Sequence, residues 1–270
     1  MTTHKNHHIQ NKVKEHYGQI AGGNKNLCCN PNVTCCGGGD TLLSADEISR
    51  GLGYTPDQLK DSPGGSNLGL GCGNPVAIAD IKKGETVLDL GSGGGFDCFL
   101  AARRVGPTGR VIGVDMTSEM LDRARKNAAA AGYDNVDFRF GEIEKLPIPG
   151  NSIDLIMSNC VVNLAPDKSR VFAEAFRVLK PGGRLCISDF VATKPLPDEI
   201  LTDLDAYVGC IAGAALIDDL VKILNTAGFD QVSIEPRCRS REFIKGWMPG
   251  SNVEDYVVSA VIRAVKPWGR

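Results

Sequence analysis

Histidine is nearly absent from this sequence of 270 residues: there are four, and all of them (His4, His7, His8 and His16) fall before residue 17. The body of the chain therefore lacks an imidazole to serve as a general base or metal ligand, the tasks for which histidine is the usual choice. An excess of charge of one sign is also missing. With 30 Lys and Arg against 32 Asp and Glu, the formal net charge of −2 gives no electrostatic reason to expect nucleic acid or an anionic membrane as partner. Long apolar runs are lacking as well. The first twenty residues are polar and basic, without the apolar stretch of a signal peptide, and the longest weakly polar run, 208–217, is too short to span a bilayer. Neither an internal repeat nor a low-complexity tract is present beyond glycine and cysteine clusters. These absences predict a cytoplasmic protein with no nucleic-acid or membrane partner, and 42% hydrophobic residues suffice for a substantial core.

Cysteine, by contrast, is plentiful. Ten cysteines in such a compartment read as thiols, metal ligands or redox partners rather than a disulfide framework. Cys28-Cys29 and Cys35-Cys36 form vicinal pairs. Redox or capture of a thiophilic ligand, incidental surface thiols and a zinc site are the readings for them, in that order; vicinal pairs lack the usual Cys-x2-Cys geometry of zinc knuckles. Cys98 and Cys186 fall inside an apolar helix and strand and read as small core hydrophobes. Cys238 reads as a partly exposed thiol.

Residues 1–40 show little hydrophobic periodicity and read as a mobile arm with one helical turn near 15–20. Ser44 with Glu47, and Thr55-Pro56-Asp57, are helix-start signals that predict a short helical section over 43–59. From about Cys72 onward, strands (86–90, 110–114, 136–140, 153–158, 184–189, 231–236, 256–265) alternate with helices (96–105, 118–131, 168–179, 216–226). That rhythm predicts an α/β fold, a mostly parallel seven-stranded sheet with helices on both faces. A helical insertion after the fifth strand, near 195–215, interrupts it. The predicted organisation is an arm over 1–65, a ligand-binding domain over 66–236, and an extension over 237–270 that ends in an edge strand.

The run Val87-Leu88-Asp89-Leu90-Gly91-Ser92-Gly93-Gly94-Gly95 sits at a strand-to-helix turn, where glycines let backbone N–H groups approach a ligand. Asp115 ends the second strand, where a carboxylate can accept hydrogen bonds from ribose hydroxyls. The pyridine-nucleotide fingerprint is missing its last glycine, since Phe96 stands there, and a phosphate loop is excluded because no Gly-Lys-Ser/Thr follows. Asp-x-Gly-x-Gly-x-Gly from Asp89 through Gly91, Gly93 and Gly95 resembles instead the first motif of class I S-adenosylmethionine methyltransferases. That resemblance implies a Rossmann-like fold, S-adenosylmethionine as cofactor, and Asp89, Gly91, Ser92, Gly93, Gly95, Asp115, Met116, Glu142, Ile143 and Asn159 around it.

Cys160 lies one residue past the fourth strand, on the edge where ligands bind in open α/β sheets. Cys210 falls in the insertion, and Cys72 lies in a glycine-rich turn before the first strand. The wording around them, Leu70-Gly71-Cys72-Gly73-Asn74-Pro75, Val114-Asp115-Met116-Thr117, Ser158-Asn159-Cys160-Val161-Val162-Asn163-Leu164 and Gly209-Cys210-Ile211-Ala212-Gly213-Ala214, resembles arsenite S-adenosylmethionine methyltransferases over roughly 15–235. The resemblance implies that Cys72, Cys160 and Cys210 bind trivalent arsenic as thiolates, and that arsenite and methylarsenite, as thiol complexes, are methylated in a detoxifying reaction. It further implies a disulfide relay between Cys72 and one of Cys28, Cys29, Cys35 or Cys36, reset by thioredoxin or glutathione. A quinone-like carbon or oxygen methyltransferase and a non-catalytic arsenic- or metal-binding protein are the alternatives. The chemistry of three thiolates leads to an expectation that arsenic binding releases protons and strengthens toward the ordinary thiol pKa of about 8.5.

Overall fold

Short runs of β-branched and leucine residues form the sheet. β1 (Thr86–Leu90), β2 (Arg110–Asp115), β3 (Val136–Phe140), β4 (Ile153–Asn159), β5 (Leu179–Ala192), β6 (Asp230–Arg237) and β7 (Val257–Val265) make one seven-stranded sheet in the order 3-2-1-4-5-7-6. β1 through β5 pair in parallel, while β7 runs antiparallel to both neighbours. Val87, Leu88 and Leu90 are fully buried, as befits a central strand covered on both faces. The computed structural model describes residues 2–23, 44–245 and 250–269.

Helices α1 (Thr2–Ala21), α2 (Ala45–Gly51), α3 (Pro56–Asp61) and α4 (Pro75–Ile78) precede the sheet. Ser44 and Thr55 cap α2 and α3 through the reciprocal bonds that the sequence predicts. On one face of the sheet α5 (Phe96–Val105) and α6 (Ser118–Ala131) bury Cys98, Phe99, Leu121 and Ala124, and Cys186 of β5 joins that cluster. On the other face α7 (Lys168–Val178) and α10 (Ile217–Ala227) bury Phe172, Ala175, Leu220 and Leu224. Between β5 and α10 the insertion forms α8 (Asp198–Leu201) and α9 (Leu204–Val208), and α11 (Ser240–Ile244) links β6 to β7. Strand order reverses between β1 and β4, so the ligand crevice of such a sheet opens there, at the carboxyl ends.

Three expectations are corrected. Residues 2–21 are a helix rather than a mobile arm: Ile9, Val13, Tyr17 and Ile20 recur at helical spacing, and Val13 and Ile20 are buried. Tyr17 Oη donates to Val208 O at 3.1 Å, tying α1 to the end of α9. The last strand is not an edge strand. β7 lies between β5 and β6 because its apolar run is buried almost throughout, whereas the half-exposed β6 takes the edge. β5 begins at Leu179, not Arg184, since Leu179 pairs with Ile153 before an irregularity in the ladder. Cys28, Cys29, Cys35 and Cys36 lie outside the described residues.

Candidate active site

At the strand-order reversal lies a partly open cavity of about 1140 Å³. A pocket for one small ligand measures roughly 300–1,000 Å³, so this one has room for two molecules side by side. Its first end is the glycine loop. Gly91 has φ 69°, and an added Cβ would stand 2.5 Å from the Val161 methyls, so no other residue fits. Gly91 and Ser92 both donate to Val114 O, at 2.8 and 3.1 Å, which pins the loop to β2. Asp115 accepts from Gly93 N at 2.9 Å and Thr117 N at 2.8 Å, holding the loop and the start of α6 together.

Two further acids line this end. Asp89 accepts from the Cys98 thiol at 3.2 Å, and Asp97 from Tyr54 Oη at 2.7 Å. Burial, then the charge of Asp97, pushes Asp89 well above the usual carboxylate range; burial likewise pushes Asp97 up to about 6. Burial also raises Asp115, against the pull of the N–H groups it accepts. Among the described residues Ser92 Oγ is the one buried side-chain oxygen or nitrogen without a partner, and Ser92 lines the cavity. Three buried carboxylates, an unpaired hydroxyl and a glycine cradle suit a ligand bringing positive charge and polar groups; they would repel a pyrophosphate. Met116, Ile143 and Asn159, which the resemblance places around the cofactor, line the cavity. Gly95 and Glu142 do not: Gly95 is packed against Phe99 and Phe138, and Glu142 pairs with Lys14 of α1 at 3.7 Å.

The second end gathers the thiols. Asn159, the last residue of β4, accepts from Cys72 N at 2.9 Å and donates to Gly73 O at 2.8 Å and Tyr54 Oη at 3.0 Å. A Cβ on Gly71 would stand 2.7 Å from the same amide, so glycine is required for the Cys72 turn to reach β4. Ser259 Oγ of β7 donates to Cys72 O at 2.8 Å. Cys160 takes φ 59° with its N–H on Ser188 O at 2.8 Å, and Cys210 takes φ 64° with its carbonyl held by Asn163 Nδ2 at 3.1 Å. A residue with a side chain in this left-handed region costs on the order of 1–3 kcal/mol, a strain that marks functional sites.

These constraints bring the three predicted cysteines together around Cys160. The Cys72 and Cys210 thiols both hydrogen-bond with the Cys160 thiol, and Cys210 Sγ also donates to Cys160 O at 2.9 Å. Burial pushes Cys72 up to about 11, and burial followed by its two thiol neighbours pushes Cys160 well up, so both are S–H groups in neutral water. All six described cysteines are free.

Sequence reasoning missed four participants. Asp189 of β5, only 1% exposed, places a carboxylate oxygen within 4.8 Å of the Cys72 and Cys160 sulfurs. Tyr54 and Asp97 join the glycine loop to the Cys72 turn through Asn159. His16 lines the cavity because α1 docks there, with its pKa lowered by burial against the opposing charge of Asp205. The helical spacing of Ile9, Val13, Tyr17 and Ile20 was the available signal for the last.

The strand order, the antiparallel seventh strand, the glycine loop and the carboxylate at the end of β2 define a class I methyltransferase, of the class that binds S-adenosylmethionine. A family model described as a methyltransferase domain matches residues 81–228. The crystal structure of an arsenic(III) S-adenosylmethionine methyltransferase from Chlamydomonas reinhardtii superposes with TM-score 0.63 at 32% identity, covering 85% of this chain and 76% of that one. Arsenite methyltransferase of Halobacterium salinarum is 50% identical over 257 residues (94% of this chain), and that of Aquipseudomonas alcaligenes 37% identical over 228 (82%). The chain belongs to the arsenite methyltransferase family. It spans 66% and 62% of the length of those two curated relatives. Among the described residues no helix is long and apolar enough to cross a membrane.

Proposed function

We propose that the chain methylates trivalent arsenic, arsenite and then methylarsenite, held by the sulfurs of Cys72, Cys160 and Cys210, in a cytoplasmic detoxifying reaction. The observation that supports this is the meeting of thiols from a turn before β1, the end of β4 and the insertion, where Cys160 and Cys210 line one end of a cavity, Cys72 lies buried just behind them, and the other end is the glycine loop. Trivalent arsenic is soft, so sulfur outcompetes oxygen for it. Three sulfurs leave arsenic a lone pair at the open apex. Arsenic carries no proton to remove, so no general base is needed.

S-adenosylmethionine, when bound, supplies an electrophilic methyl on a positively charged sulfur. Asp97 and Asp115 complement its positive charge, the unpaired Ser92 hydroxyl offers a hydrogen bond, and the fixed wall between the two ends aligns the partners. The raised thiol pKa values change one expectation. In arsenous acid each S–H proton leaves with an arsenic hydroxide as water, giving As(SR)3 and three waters from As(OH)3 and three thiols. Neutral thiols therefore bind without net proton release, and affinity is flat near neutral pH rather than rising toward 8.5. Methylation raises arsenic formally to the pentavalent state; Cys72 and one of Cys28, Cys29, Cys35 or Cys36 return two electrons by forming a disulfide, which thioredoxin or glutathione reduces.

Incubation with arsenite, glutathione and S-adenosylmethionine tests the proposal, with methylated arsenic and S-adenosylhomocysteine expected in step. Methylation of a quinone-like acceptor without arsenic turnover, or tight arsenite binding without turnover, would sink it. A pH experiment follows from Asp97. Its carboxyl stays protonated up to about 6 and attracts a cation only when ionised, so S-adenosylmethionine affinity is expected to climb as pH rises through about 6 and then level off. Calorimetric titration should show that climb in the parent and its loss in Asp97→Asn.

A further inference from the structure

The compact donor set beside the cavity is not the thiol trio. Cys72, Cys160 and Asp189 place two sulfurs and a carboxylate oxygen all within 4.8 Å of one another, while Cys210 stands outside that set. We propose that these three residues form a site for a borderline or soft divalent cation, zinc or cadmium, with Asp189 as the oxygen ligand. The site reuses two of the cysteines assigned to arsenic, but it does not depend on arsenic turnover.

The geometry is within reach of a tetrahedral ion. Zinc holds sulfur at about 2.3 Å and carboxylate oxygen at roughly 2.0–2.2 Å, which places donor atoms roughly 3.5–3.8 Å apart. Closing from 4.8 Å takes about 1 Å of side-chain rotation, against backbones already fixed by Asn159, Ser188 and Ser259. Asp189 accepts from the backbone N–H groups of Phe190 at 2.8 Å, Asn163 at 3.2 Å and Val162. A carboxylate has about four acceptor positions, so one remains for a metal. Charge closes too. Two thiolates and a carboxylate carry −3, the ion brings +2, and the half-buried ammonium of Lys168, which feels the Asp189 charge, supplies the last +1. Cys160 lines the cavity, giving the ion a route in. On binding, the two thiol protons pass to the buffer as the two metal–sulfur bonds form.

Asp189 separates the two kinds of ligand. Trivalent arsenic prefers sulfur and gains little from an oxygen donor, whereas zinc and cadmium accept carboxylate readily. Zinc or cadmium should therefore compete with arsenite for Cys72 and Cys160 and leave S-adenosylmethionine binding alone.

The test uses the full reduced chain with Cys28, Cys29, Cys35 and Cys36 replaced by serine, titrated with Cd²⁺ alone and read by the ultraviolet sulfur-to-cadmium charge-transfer band. One equivalent is expected to bind. Cys160→Ser should abolish the band, and Asp189→Asn should weaken cadmium by roughly 10–100-fold, the range for lost ligand support, while arsenite affinity moves by less than about threefold. Absence of the band in the serine-substituted parent, or an Asp189→Asn variant that binds cadmium as the parent does, overturns the site. Should Asp189→Asn fail to fold, X-ray absorption of the zinc-loaded parent decides: sulfur with oxygen around zinc supports it, and sulfur alone overturns it. The readouts are of the metal itself, so they stand or fall separately from arsenic methylation.

Discussion

Cys160→Ser is expected to lower arsenic methylation by roughly a thousandfold or more, about 4 kcal/mol of barrier, while S-adenosylmethionine affinity stays within about threefold. Cys160 is the middle of the trio, in contact with both other thiols, so its loss leaves two sulfurs without the member that joins them. Serine keeps the size and the backbone bond to Ser188 O but offers a hard oxygen where a soft donor is needed. The cofactor end is built from other segments, chiefly 89–97 and Asp115, and is untouched. Methylarsenic production by mass spectrometry, beside equilibrium dialysis of S-adenosylmethionine, reads both quantities. A variant that methylates arsenite at more than a tenth of the parent rate would show that sulfur at this position is dispensable.

Asp115→Ala should do the opposite: S-adenosylmethionine affinity falls by at least about a hundredfold while arsenite still binds. Both carboxylate oxygens of Asp115 are committed to backbone N–H groups, Gly93 on one and Thr117 on the other. Removing them strands two donors in a site that is 9% exposed, at about 1–3 kcal/mol each, and frees the glycine loop from α6. The thiols are fixed by Asn159, Ser188, Asn163 and Ser259 instead. Parallel titrations with arsenite and S-adenosylmethionine check the split, and loss of both affinities together would mean that the two ends of the cavity are not built independently.

Much of the sheet was legible because its strands are short apolar runs punctuated by glycine and proline, and β1, β3, α5 and α6 fall where the sequence places them. The thiol end was legible through the local wording around each cysteine. α1 was not, because Ile9, Val13, Tyr17 and Ile20 are masked by polar neighbours until the helix docks. Asp189, Asp97 and Tyr54 were hidden for another reason. Each is an ordinary residue in an ordinary element, and its role arises from contacts across the fold, such as the 43 positions between Tyr54 and Asp97. Glu142 stands outside the cavity lining because a strand-end acid can turn either way, and here it pairs with Lys14 of α1.

Cys160 and Cys210 both hold backbone angles that glycine would adopt with ease. The chain thus forgoes thermal tolerance at the two positions that bring these thiols to Cys72. Selection for a hardier scaffold would have to act elsewhere, on capping, packing or surface charge, because relaxing these two positions removes the sulfur along with the strain.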